Sequence, residues 1–290
     1  MFMNPYVIVT DSSCDLPQAL VAEYGLEVVQ LAVSLDGGDP IPNNELDIKD
    51  FYAQLRDKKR ATTSAANPDA FHKVFEKYLA VGTDVLYLGF SSGLSGTCNA
   101  GFVAARELSG KYVGSKCVVV DTLCASLGEG LLVVLAAKKK AAGATLEEVR
   151  DYVERTKLNL THLFTVDDLF FLKRGGRVSA VTAVAGSALG IKPLLHVDNA
   201  GHLIKTGIKR GRTASINALC ERMKEIAIDP AEQLVYISHG DCEDEANYLA
   251  EKIKNELGVK EPILVSHVGP VIGAHAGPGT VALFFIGKER

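Results

Sequence analysis

The chain has six cysteines and no C-x-x-C pair among them: Cys14, Cys98, Cys117, Cys124, Cys220 and Cys242 are scattered. That spacing argues against zinc ribbons and dithiol redox sites. Each stands in an apolar or helical stretch, where cysteine packs as a small hydrophobe. The longest apolar run, 131–137, falls far short of the ~20 residues a membrane-spanning helix needs. The opening Met-Phe-Met-Asn-Pro has neither a basic region nor an apolar core, so no signal peptide is expected and a reducing cytoplasm is the expected compartment. The dinucleotide pattern G-x-G-x-x-G is absent, which argues against nicotinamide or flavin chemistry. Repeats and low-complexity linkers are missing as well. Excess positive charge is lacking too: 31 Lys and Arg against 35 Asp and Glu give a net charge of -4. No nucleic-acid partner and only transient membrane contact are therefore expected. Nothing demands a metal or a cofactor.

What is present is an ordinary globular balance, 47% hydrophobic and 23% charged over 290 residues, enough for two domains with a large core. The first half alternates strands and helices. Strands are expected at 6–10, 26–34, 84–90 and 116–121. Helices are expected from Asp15 and Pro17 toward Tyr24, over 48–58, from Asn67-Pro68 to about Leu79, from the 91–97 loop to about Leu108, and over 129–142. Asn67 is a capping residue with Pro68 at the first helical position. Thr145-Leu146-Glu147-Glu148 is a capping box. This alternation implies an α/β fold, with a parallel sheet and helices on both faces.

After about Lys157 the texture changes. The expected elements are a short strand at 163–166, a short helix at 167–173, a hairpin of 192–197 with 202–209 across Asn199-Ala200-Gly201, helices over 213–227 and 241–257, and strands at 234–238, 263–266 and 280–286. The reading is two lobes. Residues 1–157 form an N-terminal α/β domain with a mostly parallel sheet. Residues 158–290 form a C-terminal α+β domain with mixed and antiparallel pairing. The boundary is good to about ten residues.

Four segments can carry chemistry. Ser91-Ser92-Gly93-Leu94-Ser95-Gly96-Thr97 lies where a strand feeds a helix, the place where parallel sheets bind ligands and helix N–H groups face anions. It suits a carboxylate or phosphate, or is a Ser/Gly turn with an N-cap. Ala61-Thr62-Thr63-Ser64 brings three hydroxyls to another helix entry; the alternative is a plain extended lead-in. The stretch 268–279 holds His275 between two Gly-Pro pairs, a density that reads as a fixed loop rather than a helix or strand, with His275 as a donor to an anion or simply to backbone. Lys173-Arg174-Gly175-Gly176-Arg177 is dense enough to grip a phosphate or an acidic partner surface, or else it solvates a helix end. Gly89-Phe90-Ser91-Ser92-Gly93 also fits G-x-S-x-G after a strand, and Asp121 and His275 follow in the order of a hydrolase triad. A serine hydrolase using Ser91, Asp121 and His275 is therefore the competing reading.

Taken together these segments resemble the DegV family of bacterial fatty-acid-binding proteins. The resemblance rests on Val9-Thr10-Asp11-Ser12-Ser13-Cys14-Asp15-Leu16-Pro17, Thr63-Ser64-Ala65-Ala66-Asn67-Pro68, the 91–97 loop, Val166-Asp167-Asp168-Leu169 with 172–177, Gly190-Ile191-Lys192-Pro193 and the His275 segment. It implies a long-chain fatty acid lying between the two lobes, with Thr63 and Ser95 on its carboxylate and His275 supporting them. Ser64, Ser92, Gly96 and Thr97 complete the implied ligand-binding set. The resemblance also implies a carrier with no catalytic residue of its own. Lys173, Arg174 and Arg177 would meet a fatty acid kinase that phosphorylates the carried acid for phospholipid synthesis. The sequence departs from the family at Ala65-Ala66, where Gln-Pro is usual, at Cys98, where an aromatic is common, and at Ala274 and Ala276, where Thr is frequent.

Overall fold

The computed structural model describes residues 4–178 and 190–290. The first strand, β1 (Tyr6–Asp11), is buried over nearly its whole length, as its β-branched run implies. It lies between β2 (Glu27–Val29) and β6 (Asp84–Gly89), and β7 (Cys117–Asp121) completes an all-parallel sheet of order β2-β1-β6-β7. The 26–34 segment is not one strand. It breaks after β2 and re-enters as β3 (Ala32–Leu35), which joins β4 (Ile41–Pro42) and β5 (Ala61–Ser64) in a separate antiparallel sheet. The Leu31 N–H, which leaves the ladder at the break, donates to Ser12 Oγ at 3.0 Å. A continuous apolar run hides this change of sheet, because both halves have the same composition.

The second sheet is built from later residues: β8 (Leu160–Thr165), β9 (Ile191–Val197), β10 (Leu203–Arg210), β11 (Tyr236–His239), β12 (Leu264–His267) and β13 (Val281–Ile286). Its order is β10-β9-β8-β13-β11-β12, antiparallel except for the parallel β11–β12 pair. The expected hairpin forms as β9 and β10.

Helices cover both sheets. In order they are α1 (Gln18–Glu23), α2 (Ile48–Arg56), α3 (Pro68–Leu79), α4 (Thr97–Ser109), α5 (Leu127–Ala141), α6 (Leu146–Thr156), α7 (Phe170–Arg174), α8 (Arg212–Ile226), α9 (Glu243–Leu257) and α10 (Pro270–Ala276). Asn67 caps α3 through Ala70 N, and the Thr145–Glu148 box closes in both directions. On the outer face of the second sheet, α8 and α9 bury Leu219, Met223 and Leu249 against Leu283 and Phe285.

Helix α5 touches both sheets, which explains its burial almost all round. Two glycines make this possible. A Cβ at Gly128 would stand 2.2 Å from His162 Nε2, and one at Gly130 would stand 2.7 Å from the Cys14 carbonyl. Their cost in helix propensity, roughly 1 kcal/mol each, is offset by this close approach. The C-terminal segment reaches back in the same way. The 268–279 stretch, expected as a loop, contains the helix α10. Gly269 is its N-cap and Pro270 occupies the first turn, where a missing N–H costs nothing. Gly273 lets α10 lie on α2, because a Cβ there would meet Tyr52 Oη at 2.7 Å.

Candidate functional site

A cavity of about 290 Å³ opens where the two sheets, α5 and α10 meet. Strand register supplies much of its wall. Ser238, Ala282 and Phe164 stand opposite one another across β11, β13 and β8. Phe284 and His162 form the parallel row two residues along, so all five share the inner face. All five line the cavity, together with Val197, Leu203 and Leu172. His162 is buried but not charged: its Nδ1 faces the Leu160 carbonyl at 3.0 Å and its Nε2 accepts from Ala125 N at 3.1 Å. Burial holds its pKa well below the ordinary value, so it behaves as part of an apolar wall. A cavity needs roughly 10–15 Å³ of such volume to hold one water. The space thus takes on the order of twenty water-sized groups.

One end of the cavity is polar. Thr63, from β5, and His275, from α10, meet there with Oγ1 and Nε2 2.8 Å apart. Burial, and then the charges of Arg177 and Arg174, push the His275 pKa down to about 4, so the ring is neutral at physiological pH. Its Nδ1 has no partner among the described residues and lies against the backbone of Gly175. An Nε2–H donating to Thr63 Oγ1 leaves the threonine proton free to point into the cavity. Ser95 stands at the same end, one residue before the Gly96 N-cap of α4. Its Oγ accepts from Thr97 N at 3.2 Å and pairs with Thr97 Oγ1 at 2.9 Å. With Thr97 as donor, the Ser95 proton is also free. Arg177 brings a positive charge to these neutral donors. Its Nε donates to the Leu94 carbonyl at 3.1 Å, its Nη1 donates to the Gly175 carbonyl, and its side chain lines the cavity. Two hydroxyls, a neutral imidazole and a guanidinium make a site for one carboxylate.

Of the residues singled out in the sequence, Thr63, Ser95, Gly96 and His275 line the cavity. Thr97 is buried behind Ser95, while Ser64 and Ser92 are exposed outside the lining. Lys173 is exposed. Arg177, expected on a partner-facing surface, is inside the polar end. Arg174 stacks on Phe170 and Phe171, with its guanidinium 5.6 and 5.0 Å from the ring centroids. A second recess of about 160 Å³ shares Thr63, His275 and Arg177 with the cavity and adds Arg60 and Arg174. Among the described residues, none of these three arginines pairs with a carboxylate. Arg60 gave no sequence signal: it is one cation in a basic stretch, and only the sheet change at β3 brings it here.

The triad of the hydrolase reading is not assembled. Ser91 is fully buried, donates to the Gly201 carbonyl at 2.9 Å and accepts from Gly93 N at 3.2 Å. Asp121 accepts from Ser92 N and Leu123 N at 3.2 and 3.0 Å, and His275 is engaged with Thr63. The G-x-S-x-G match therefore serves a loop, not a nucleophile. Among the described residues there is no cluster of His, Cys, Asp and Glu fit to hold a metal, and no helix long and apolar enough to cross a membrane. All six cysteines are free.

A family model described as "Uncharacterised protein, DegV family COG1307" matches residues 5–288. A DegV domain-containing protein of Clostridium perfringens, CPE0026, is 42% identical over 290 residues, covering 99% of each chain. Among solved structures, a DegV family protein from Thermus thermophilus with fatty acid binding is 32% identical, with a TM-score of 0.88 over 97% of this chain and 98% of its own. TM841 from Thermotoga maritima, whose structure reveals fatty acid binding function, is 30% identical, with a TM-score of 0.85 over 97% and 98% of the two chains. With its α/β fold of a parallel, a mixed and a small antiparallel sheet and its match over nearly the whole length, this chain belongs to the DegV family.

Proposed function

We propose that this protein binds one long-chain fatty acid, its tail in the cavity and its carboxylate at Thr63, Ser95, His275 and Arg177. The observation that carries the reading is the joining of a largely apolar cavity of about 290 Å³ to the polar group of Thr63, His275, Ser95 and Arg177. The fatty acid binding of relatives at 30–32% identity supports it. Residues 1–157 and 158–290 act as two lobes on either side of the acid. The tail supplies most of the affinity, at about 0.8 kcal/mol per buried methylene. The polar end fixes which way the acid lies.

The protein carries and presents the acid, and the chemistry belongs to a partner, a fatty acid kinase that converts the carboxylate to an acyl phosphate. The arginine-lined recess supports this part of the reading. It leads to the Thr63–His275 pair, and its positive charge, without a carboxylate partner among the described residues, suits an incoming phosphoryl group or an acidic docking surface. Arg174, with Lys173 beside it, provides the docking face; no side chain of this protein takes a catalytic step. The test is transfer from ATP by a purified fatty acid kinase, with the product trapped as the hydroxamate. Loaded wild-type protein is expected to give hydroxamate. Arg174→Glu and Arg60→Glu are expected to keep their acid but lose most of the transfer. Equal transfer by the charge-reversed proteins would remove the docking role.

A further inference from the structure

Beyond the residues assigned to the carboxylate, the cavity wall contains polar groups that binding an unsubstituted acid leaves unused. Ser13, fully buried in the turn after β1, lines the cavity, and its Oγ lies beside the Asp11 carboxylate without a well-formed hydrogen bond among the described residues. Ser126 and Ser238, both buried, line the same cavity with their Oγ atoms 3.1 Å apart. Ser126 Oγ also lies 2.5 Å from Oδ2 of Asp15, two residues beyond Ser13. A hydroxyl has one donor and two acceptor sites. In either direction of the Asp15–Ser126–Ser238 chain, Ser238 keeps unused capacity, and Ser13 Oγ, which lies beside the Asp11 carboxylate, keeps its acceptor sites. A saturated alkyl chain satisfies none of it, and an unpaired buried hydroxyl is costly.

From these unpaired groups we infer a second polar subsite in the tunnel, formed by Ser13, Ser126 and Ser238, that takes a hydroxyl carried partway along the acyl chain. The preferred ligand class is then the long-chain hydroxy fatty acids. This inference rests on the fatty-acid reading of the cavity. The chemistry is reciprocal: the ligand hydroxyl donates to Ser13 Oγ and accepts from Ser238. In a tunnel without such a patch, an added hydroxyl loses its water and gains nothing, so hydroxy acids bind more weakly than their parent. Here the sign reverses for the one isomer whose hydroxyl reaches the patch. Isomers substituted elsewhere bind worse than the parent acid.

The test is competitive loading of the delipidated full-length protein with stearic acid and an equimolar set of positional monohydroxystearic acids, read by native mass spectrometry. Wild-type protein is expected to retain one narrow range of positions about tenfold over stearic acid, the gain of roughly one well-made hydrogen bond. Ser13→Ala is expected to lower that ratio about tenfold while stearic acid is retained as before. Ser238→Ala, an independent variant should the first not fold, is expected to lower it in the same way. If no isomer is retained above stearic acid, or if the preference survives in both variants, the inference is overturned and the fatty-acid reading stands. If wild-type protein retains neither stearic nor hydroxystearic acid, the fatty-acid reading itself has failed.

Discussion

Gly175→Ala separates the proposed head-group role of His275 from the stability of the fold. Gly175 has φ near −73°, a conformation alanine adopts freely, and in helical backbone alanine is favoured by up to about 1 kcal/mol. The glycine is needed only because His275 presses against it: a Cβ there would stand 2.2 Å from Nδ1. The buried ring must swing away, and the 2.8 Å contact with Thr63 Oγ1 breaks. Without it Thr63 Oγ1 is no longer held with its proton toward the carboxylate, and a hydrogen bond to a charged group, worth about 1.5–3 kcal/mol, or roughly 10- to 100-fold in affinity, is lost. Displacement of a fluorescent fatty acid from delipidated protein measures this, and a thermal melt beside it should move by only a few degrees. His275→Ala added to Gly175→Ala should weaken binding little further, since the two changes remove the same interaction. Wild-type affinity in a folded Gly175→Ala protein would refute the reasoning.

Arg177→Ala should weaken binding by a similar amount, and it should also reduce the salt dependence of affinity measured between low and high ionic strength, with Arg60 and Arg174 supplying what remains. Ser91→Ala should lower the melting temperature, since it leaves the buried Gly201 carbonyl without its donor at a cost of about 1–3 kcal/mol. It should not change fatty acid retention, and a fluorophosphonate probe should not label Ser91 in the wild type. Ala282→Leu should shorten the preferred acid by about three carbons in a mixed-chain competition, at about 0.8 kcal/mol per excluded methylene. For Asp15, burial raises the carboxyl to about 7 from an ordinary 3.8. The folded state therefore holds a proton that the unfolded chain has released, and this contribution to stability is full below pH 3.8 and lost as pH rises to 7. At roughly 1.4 kcal/mol per pH unit, Asp15→Asn should gain stability relative to wild type across that window, read from melts at pH 4 and 7.5.

The fold was legible in the sequence wherever a local rule determines it. Asn67-Pro68 and the Thr145–Glu148 box start their helices through hydrogen bonds made within one turn. The short apolar runs of β1, β6 and β13 have no competing pattern. Legibility failed where tertiary packing decides. The 26–34 run was read as one strand, and nothing local marks where β2 leaves one sheet and β3 joins another. The Gly-Pro stretch was read as a loop because glycine and proline break most helices, yet here they serve as cap, first turn and close-packing surface of α10. Residue type marks the segments that hold Thr63, Ser95 and His275, and the resemblance to the DegV family picks out the individual residues. Arg177 was noticed as charge but not as a cavity residue, since its place depends on where α7 ends against α10. The serines of the inner wall could not be found, because alternation along β11 gives Ser238 a face but not a cavity.

The central claim is tested most directly by mass spectrometry of freshly purified protein, first native and then after solvent extraction. The account predicts a mass excess equal to one fatty acid and recovery of that acid in near one-to-one amount. Protein that carries no acid, and that takes up none when long-chain acids are added, would contradict it.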